Sequence, residues 1–176
     1  MKYIGIDPSL THSAITLLNP DGTFNVFNIQ PKTLRGVDRL IYIRNEFLNI
    51  LKNINLDVKL IALESYTFNI RAGHSFSLGE LGGMYKIVMT DNKLPFINVN
   101  PMTLKKYVTG SGRTEKNQMM LSIFKKWKAE FKNDDEADSY ALARIAEFYD
   151  VNNPTTKIEK EILKSLKGQN KELLEK

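Results

Sequence analysis

The chain has 176 residues, 42% of them hydrophobic, which is enough for one domain with its own core and excludes a disordered polyelectrolyte. Cysteine is absent, so disulfides and thiolate metal sites are excluded. The net charge of +5 favours a polyanionic partner. No apolar run suits a signal peptide or a membrane span, so the expected location is the cytoplasm, without a membrane partner.

Taken in order, Tyr3-Ile4-Gly5-Ile6 is an apolar, β-favouring run that reads as a short buried strand. Asp7 falls at its end, where Pro8 stops the ladder. A carboxylate among such neighbours is costly unless a metal ion, a cationic partner or backbone N–H groups meet it. Alone, it is equally an Asp opening a turn. Residues 13–18 read as a second strand, Asn19-Pro20-Asp21-Gly22 as a turn and residues 23–29 as a third strand, together an antiparallel meander. Residues 34–54 carry Leu40, Ile43, Phe47, Leu51 and Ile54 at helical spacing opposite a charged face. Residues 58–63 are a hydrophobic run predicted as a central parallel strand, and it ends in Glu64, a second acid with the same logic as Asp7. The polar and aromatic residues 66–75 are predicted as a loop.

Residues 76–91 read as a helix with Leu78, Leu81, Tyr85 and Val88 on one face. Gly79, Gly82 and Gly83 are poor helix formers there, and their expected benefit is close approach to the sheet or to a second subunit. Residues 94–99 form the last predicted strand, 101–108 a short helix and 109–113 a flexible loop. Thr114 is the expected N-cap of a helix over 115–131, and Asp134 opens another that runs to 149. Residues 155–176 are charged at helical spacing, with Ile158, Ile162, Leu163 and Leu166 as an apolar stripe. The expected division is a domain over 1–151 and a charged helical tail over 152–176.

Strands followed by crossover helices predict an α/β sheet in which strand four lies beside strand one. Asp7 and Glu64 then share one rim. Asp135 and Asp138, at i and i+3, project from one side of a helix start. Acids there also complement the helix dipole, which is the whole role expected of Asp134 and Glu136. Four carboxylates in a dry cleft cannot all stay ionised without cations, and hard divalent ions with oxygen ligands, Mg2+ first, meet that need. Two such ions about 4 Å apart suit phosphodiester hydrolysis. Lys105, Lys106, Arg113 and Lys116 flank the Gly110–Gly112 loop and suit phosphate contact. Arg71 and His74 follow Glu64 and are further candidates, as are Tyr66 and Phe68 for bases. Lys125, Lys126, Lys128 and Lys132 read as a solvated face, His12 as structural or surface, and Trp127 as core.

Ile4-Gly5-Ile6-Asp7-Pro8-Ser9, Ile61-Ala62-Leu63-Glu64 and Asp135-Glu136-Ala137-Asp138-Ser139-Tyr140-Ala141 resemble the acidic motifs of the RuvC family of Holliday junction resolvases, within the ribonuclease H-like superfamily. Leu78-Gly79-Glu80-Leu81-Gly82-Gly83 is similar to the family's Gly-containing helix. The stretch over 108–118 is similar to its basic loop and helix start. The match runs in order over about residues 2–148. The resemblance implies a ribonuclease H-like mixed five-stranded sheet, three antiparallel strands then parallel ones, flanked by helices. It implies a homodimer of compact phage type. It also implies Mg2+-dependent cleavage, with Mn2+ as substitute, of four-way junctions and related branched DNA such as forks. Asp7, Glu64, Asp135 and Asp138 are the implied ligands of two ions. Lys116 is the implied catalytic cation on the transferring phosphate, and Lys105 matches a second basic position. Bacterial members carry a wedging Phe after the second acid. The ungapped position here is Thr67, between Tyr66 and Phe68. Other readings stay open: a related nuclease on RNA–DNA hybrid, a non-catalytic junction-binding module, and an actin-like kinase or ATPase, whose second lobe 176 residues leave little room for.

Overall fold

The computed structural model describes residues 1–54, 57–65, 72–113 and 116–171. Strands β1 (Lys2–Asp7), β2 (Ser13–Leu18) and β3 (Phe24–Ile29) form the expected antiparallel meander. The β2–β3 turn closes through Asn19 N–H donating to Thr23 O (2.8 Å), with Gly22 at φ 86°. Helix α1 (Gly36–Asn53) crosses over, and β4 (Val58–Glu64) returns parallel to β1. Helix α2 (Ala72–Asp91) leads to β5 (Phe96–Val99), parallel to β4. Helices α3 (Pro101–Thr109), α4 (Lys116–Trp127), α5 (Asp134–Val151) and α6 (Lys157–Gln169) follow. The five strands are ordered β3-β2-β1-β4-β5, the α/β ribonuclease H-like arrangement expected. No helix among the described residues is long and apolar enough to cross a membrane.

The sheet separates two cores, because alternate side chains of each strand point to opposite faces. Ile4, Ile6, Ile15, Ile61 and Leu63 meet α1 and α2 through Ile43, Phe47, Leu51, Leu81 and Tyr85. Tyr3, Leu18, Ala62, Ile97 and Val99 meet the other helices through Leu104, Ile123, Tyr140, Leu142, Ile162 and Leu166. Gly5 is on this second face. A Cβ there would overlap the Ser139 carbonyl oxygen and the Ala143 nitrogen, so α5 seats directly on β1. Small residues continue the fit along α5 at Ala137, Ala141, Ala143 and Ala146, all buried. Thr16 and Ser139 join β2 to α5 by a buried hydroxyl pair at 2.7 Å.

Several boundaries differ from the sequence reading. Helix α2 starts at Ala72, four residues before the predicted start at 76. Helix α4 stops at Trp127 rather than near 131, because Lys128 turns to φ 58° and ends it. Helix α5 runs two residues further than predicted, to Val151, and is closed by Asn152 in the left-handed conformation. Within 152–176, Thr156 and Glu159 form a capping box that starts α6, and Ile162, Leu163 and Leu166 are buried. Asn170 is fully buried. Its Oδ1 accepts from Asn98 N–H (2.7 Å) and its Nδ2 donates to Asn98 O (3.0 Å), so one amide covers part of the open edge of β5.

Gly79 and Gly83 correct a further expectation. Among the described residues a Cβ at either would meet nothing within 4 Å, so they do not serve close approach of α2 to the sheet.

Candidate active site

The parallel register pairs Ile6 with Leu63, so Asp7 and Glu64 are next in line on neighbouring strands. Their side chains emerge together at one rim and hydrogen-bond to each other. Helix α5 begins over this rim. Asn133 Oδ1 accepts from Glu136 N–H (2.9 Å) and caps it. Glu136, expected only to complement the dipole, is instead a buried anchor. It accepts from Asn28 Nδ2 of β3 (2.9 Å) and from Lys132 N–H (3.1 Å). This fixes the first turn, from which Asp135 and Asp138 project.

The electrostatics of the rim are those of crowded anions. Asp7 is pushed well above the ordinary carboxylate range, by burial first and then by the charges of Glu64 and Asp138. Burial raises Glu64 as well, while its hydrogen bond with Asp7 and then the charge of Lys105 draw it down and the charge of Asp135 raises it. Asp138 is raised to about 7 by burial, then by Glu64 and Asp134, again with Lys105 opposing. Without cations, these acids hold their protons more tightly than exposed carboxylates do. Among the described residues, no three acidic or histidine side chains are drawn up around one point. The donor set still fits hard divalent ions: it is half-buried, made of carboxylate oxygens, and crowded so that a cation would relieve the repulsion.

His12 belongs to the site, which the sequence reading did not anticipate. Its Nδ1 lies 2.8 Å from Asp135 Oδ2. The loop after β1 holds it there by bonding to itself. Ser9 N–H donates to Ser13 Oγ (2.9 Å), Ser13 Oγ–H donates to Ser9 O (2.7 Å), and His12 N–H donates to Ser9 Oγ (3.3 Å). The available signal was position: His12 follows Asp7 within the same short connection.

The predicted cations divide. Lys105 acts on Glu64 and Asp138, as just described. Its neighbour Lys106 instead donates to Glu161 of α6 at 2.8 Å. Arg113 is exposed beyond Gly110, which closes α3 at φ 80°. Lys116 is the first residue of α4. Tyr66, Thr67, Phe68, Arg71 and Thr114 lie outside the described residues. Lys126 is not a merely solvated cation. Its Nζ stands 4.1 Å from the centre of the Tyr107 ring and donates to Tyr107 O (3.2 Å).

Residues 3–146 match the family described as "Crossover junction endodeoxyribonuclease RuvC". A relative of that description from Pseudothermotoga lettingae is 32% identical over 152 residues, covering 81% of this chain and 91% of its own. The fold is similar to that of Thermus thermophilus RuvC, with a TM-score of 0.70 at 20% identity over 86% of this chain and 96% of that one. It is also similar to T. thermophilus RuvC in complex with Holliday junction substrate, with a TM-score of 0.67 at 18% identity over 80% and 90% of the two chains.

Proposed function

The chain belongs to the RuvC family of Holliday junction resolvases, the crossover junction endodeoxyribonucleases, and from that premise we propose a metal-dependent, structure-selective endonuclease. It acts as a symmetric homodimer on four-way junctions and related branched DNA, forks included. The observation that carries this reading is the convergence of Asp7, Glu64 and Asp138 at one half-buried rim, each raised by burial and by a neighbouring carboxylate's charge.

Asp7, Glu64, Asp135 and Asp138 would hold two Mg2+ ions, for which Mn2+ would substitute. Bound there, such a pair supplies an activated water and charge neutralisation at the scissile phosphate. The chain's own residues prepare that chemistry. Asp7, Glu64 and Asp138, crowded at the rim, would present their carboxylate oxygens to the ions. His12 fixes the orientation of the Asp135 carboxylate. Lys105 offsets the anionic rim, and Lys116 stabilises charge on the transferring phosphate. Arg71, Lys106 and Arg113 contact the DNA backbone, and Tyr66 and Phe68 contact bases at the branch point.

Residues 1–151 carry the nuclease domain, and 152–176 are an added helical segment. The second subunit docks on the outer side of α2. There Gly79 and Gly83 are open, and Leu40, Ile41, Met84 and Ile87 line an apolar groove between α1 and α2. Thr67, at the position of the bacterial wedge, supports a compact phage-type member with broad tolerance for branched DNA, acting in the cytoplasm of a bacterial or infected cell.

The test is cleavage of labelled four-way junction, Y-fork, linear duplex and RNA–DNA hybrid, with Mg2+ and with chelator, beside the Asp7→Asn variant. Paired symmetric cuts in the junction that need both the metal and Asp7 are expected, with junction binding retained in the variant. Cleavage of the hybrid without cleavage of any branched DNA would overturn the reading.

A further inference from the structure

Helix α6 carries a charge pattern that the acidic rim does not use. Lys157, Lys160, Lys164 and Lys167 recur at spacings of three and four residues, so they fall along one side of the helix, where Lys167 also donates to Asn152 Oδ1 (3.1 Å). All of them are exposed. At 1.5 Å per residue the stripe is about 15 Å long.

A helix that only needs solubility interleaves Glu and Lys across its exposed face. Here both acids of α6 are taken up elsewhere. Glu159 accepts from Thr155 N–H (2.8 Å) and Thr156 N–H (3.0 Å) in the capping box. Glu161 accepts from Lys106 Nζ and is held low by Lys106 first and by Lys157 second. The outward side is left to the lysines. The mount is rigid, because Ile162, Leu163 and Leu166 are buried and the Asn170 amide is bonded to the backbone of β5. It also lies beside the basic segment of the site. Helix α6 touches α3 through the Lys106–Glu161 pair, and Ile158 Cδ1 lies 3.9 Å from where a Gly110 Cβ would stand.

We propose that the lysine stripe of α6 is a DNA-arm surface, which holds the sugar–phosphate backbone of a duplex arm leading into the acidic rim. The inference rests on the nuclease reading above. Charge complementarity selects the partner class. An anionic membrane is disfavoured because a helix lying on lipid inserts an apolar face, and that face of α6 is already buried against β5 and α3.

The experiment compares the full chain with its Lys160→Gln/Lys164→Gln/Lys167→Gln variant and the corresponding triple Lys→Arg variant. Binding to a long-armed four-way junction is measured by fluorescence anisotropy across a salt series, with Ca2+ in place of Mg2+. Each lost phosphate contact should reduce the slope of log K against log salt by about 0.9, so the Gln variant should lose roughly 2–3 in slope. Its affinity should fall about tenfold at low salt. The Arg variant should bind as the unmodified chain does, and cleavage at saturating junction should be unchanged in both. Equal affinity and slope in the Gln variant, with the unmodified chain binding well, would overturn this inference alone. An unmodified chain that binds no DNA would overturn the nuclease reading together with it. Binding to phosphatidylserine vesicles that the Gln variant loses, with its DNA binding intact, would reassign the stripe to lipid.

Discussion

The two faces of the sheet hold their helices in opposite ways. On one, α5 lies so close to β1 that Gly5 has no room for a Cβ, and a buried hydroxyl pair ties Thr16 to Ser139. On the other, α2 buries Leu81, Tyr85 and Met89 fully yet leaves open space around Gly79 and Gly83. Glycine in a sequence is therefore not one signal. The need at Gly5 is met within the chain. Gly79 and Gly83 cost helix propensity, and a Cβ at either would meet nothing within 4 Å among the described residues, which is why the proposal places them at the dimer interface.

The largest break in this contrast is Gly5→Ala. A methyl group there displaces α5 from β1 and separates Asp138 from Asp7. A loss of about 3 kcal/mol or more is expected in urea denaturation, with cleavage abolished. An unchanged midpoint would show that α5 is not gripped as described.

Asp138→Asn tests what that grip does to charge. Because the folded state raises Asp138 to about 7, it binds a proton more tightly than the unfolded chain does. The metal-free protein should therefore lose stability as pH rises from about 4 to about 7. The Asn variant should have a flatter pH dependence and a higher Tm than the parent in chelator at neutral pH, while its cleavage is lost. Scanning calorimetry across pH checks the sign. A variant less stable than its parent in chelator at neutral pH would contradict it.

The open face gives a smaller and opposite effect. Gly79→Ala and Gly83→Ala should each stabilise the subunit by up to about 1 kcal/mol, since helix propensity rises and nothing is displaced. Sedimentation should show weaker dimers at the same time. Destabilised subunits would mean that these glycines are required within the chain after all. The smallest change is Thr16→Val. Ser139 Oγ–H already donates to Glu136 O (2.9 Å), so Thr16 is the donor in the hydroxyl pair, and its loss should cost about 1 kcal/mol.

The strands and the two acidic strand ends were legible because they are local: apolar runs broken by Asp7 and Glu64. The start of α5 was legible from its acids, while the Asn133 cap ahead of them went unread. What escaped was contact between distant side chains. His12 reaches Asp135 across 123 residues, and only because Ser9 and Ser13 fold the intervening loop. Glu136 looked like an ordinary first-turn acid until Asn28 of β3 was seen to meet it. The end of α4 at Lys128 went unread because a lysine gives no warning of a left-handed φ. Asn170 completes an edge with a side-chain amide, which has no periodicity to read.

The seating of α5 on Gly5 also sets a clock. Ribosomes add about 5–20 residues per second, so the partners of Gly5 at Ser139 and Ala143 appear on the order of 10 s after it. Until then, Asp7 and Glu64 are made but Asp138 does not exist. A growing chain therefore carries half of the proposed centre while the 74 residues from Glu64 to Asp138 are added. The centre is assembled only when the helix that closes the sheet arrives, which couples its potential to cut to completion of the fold.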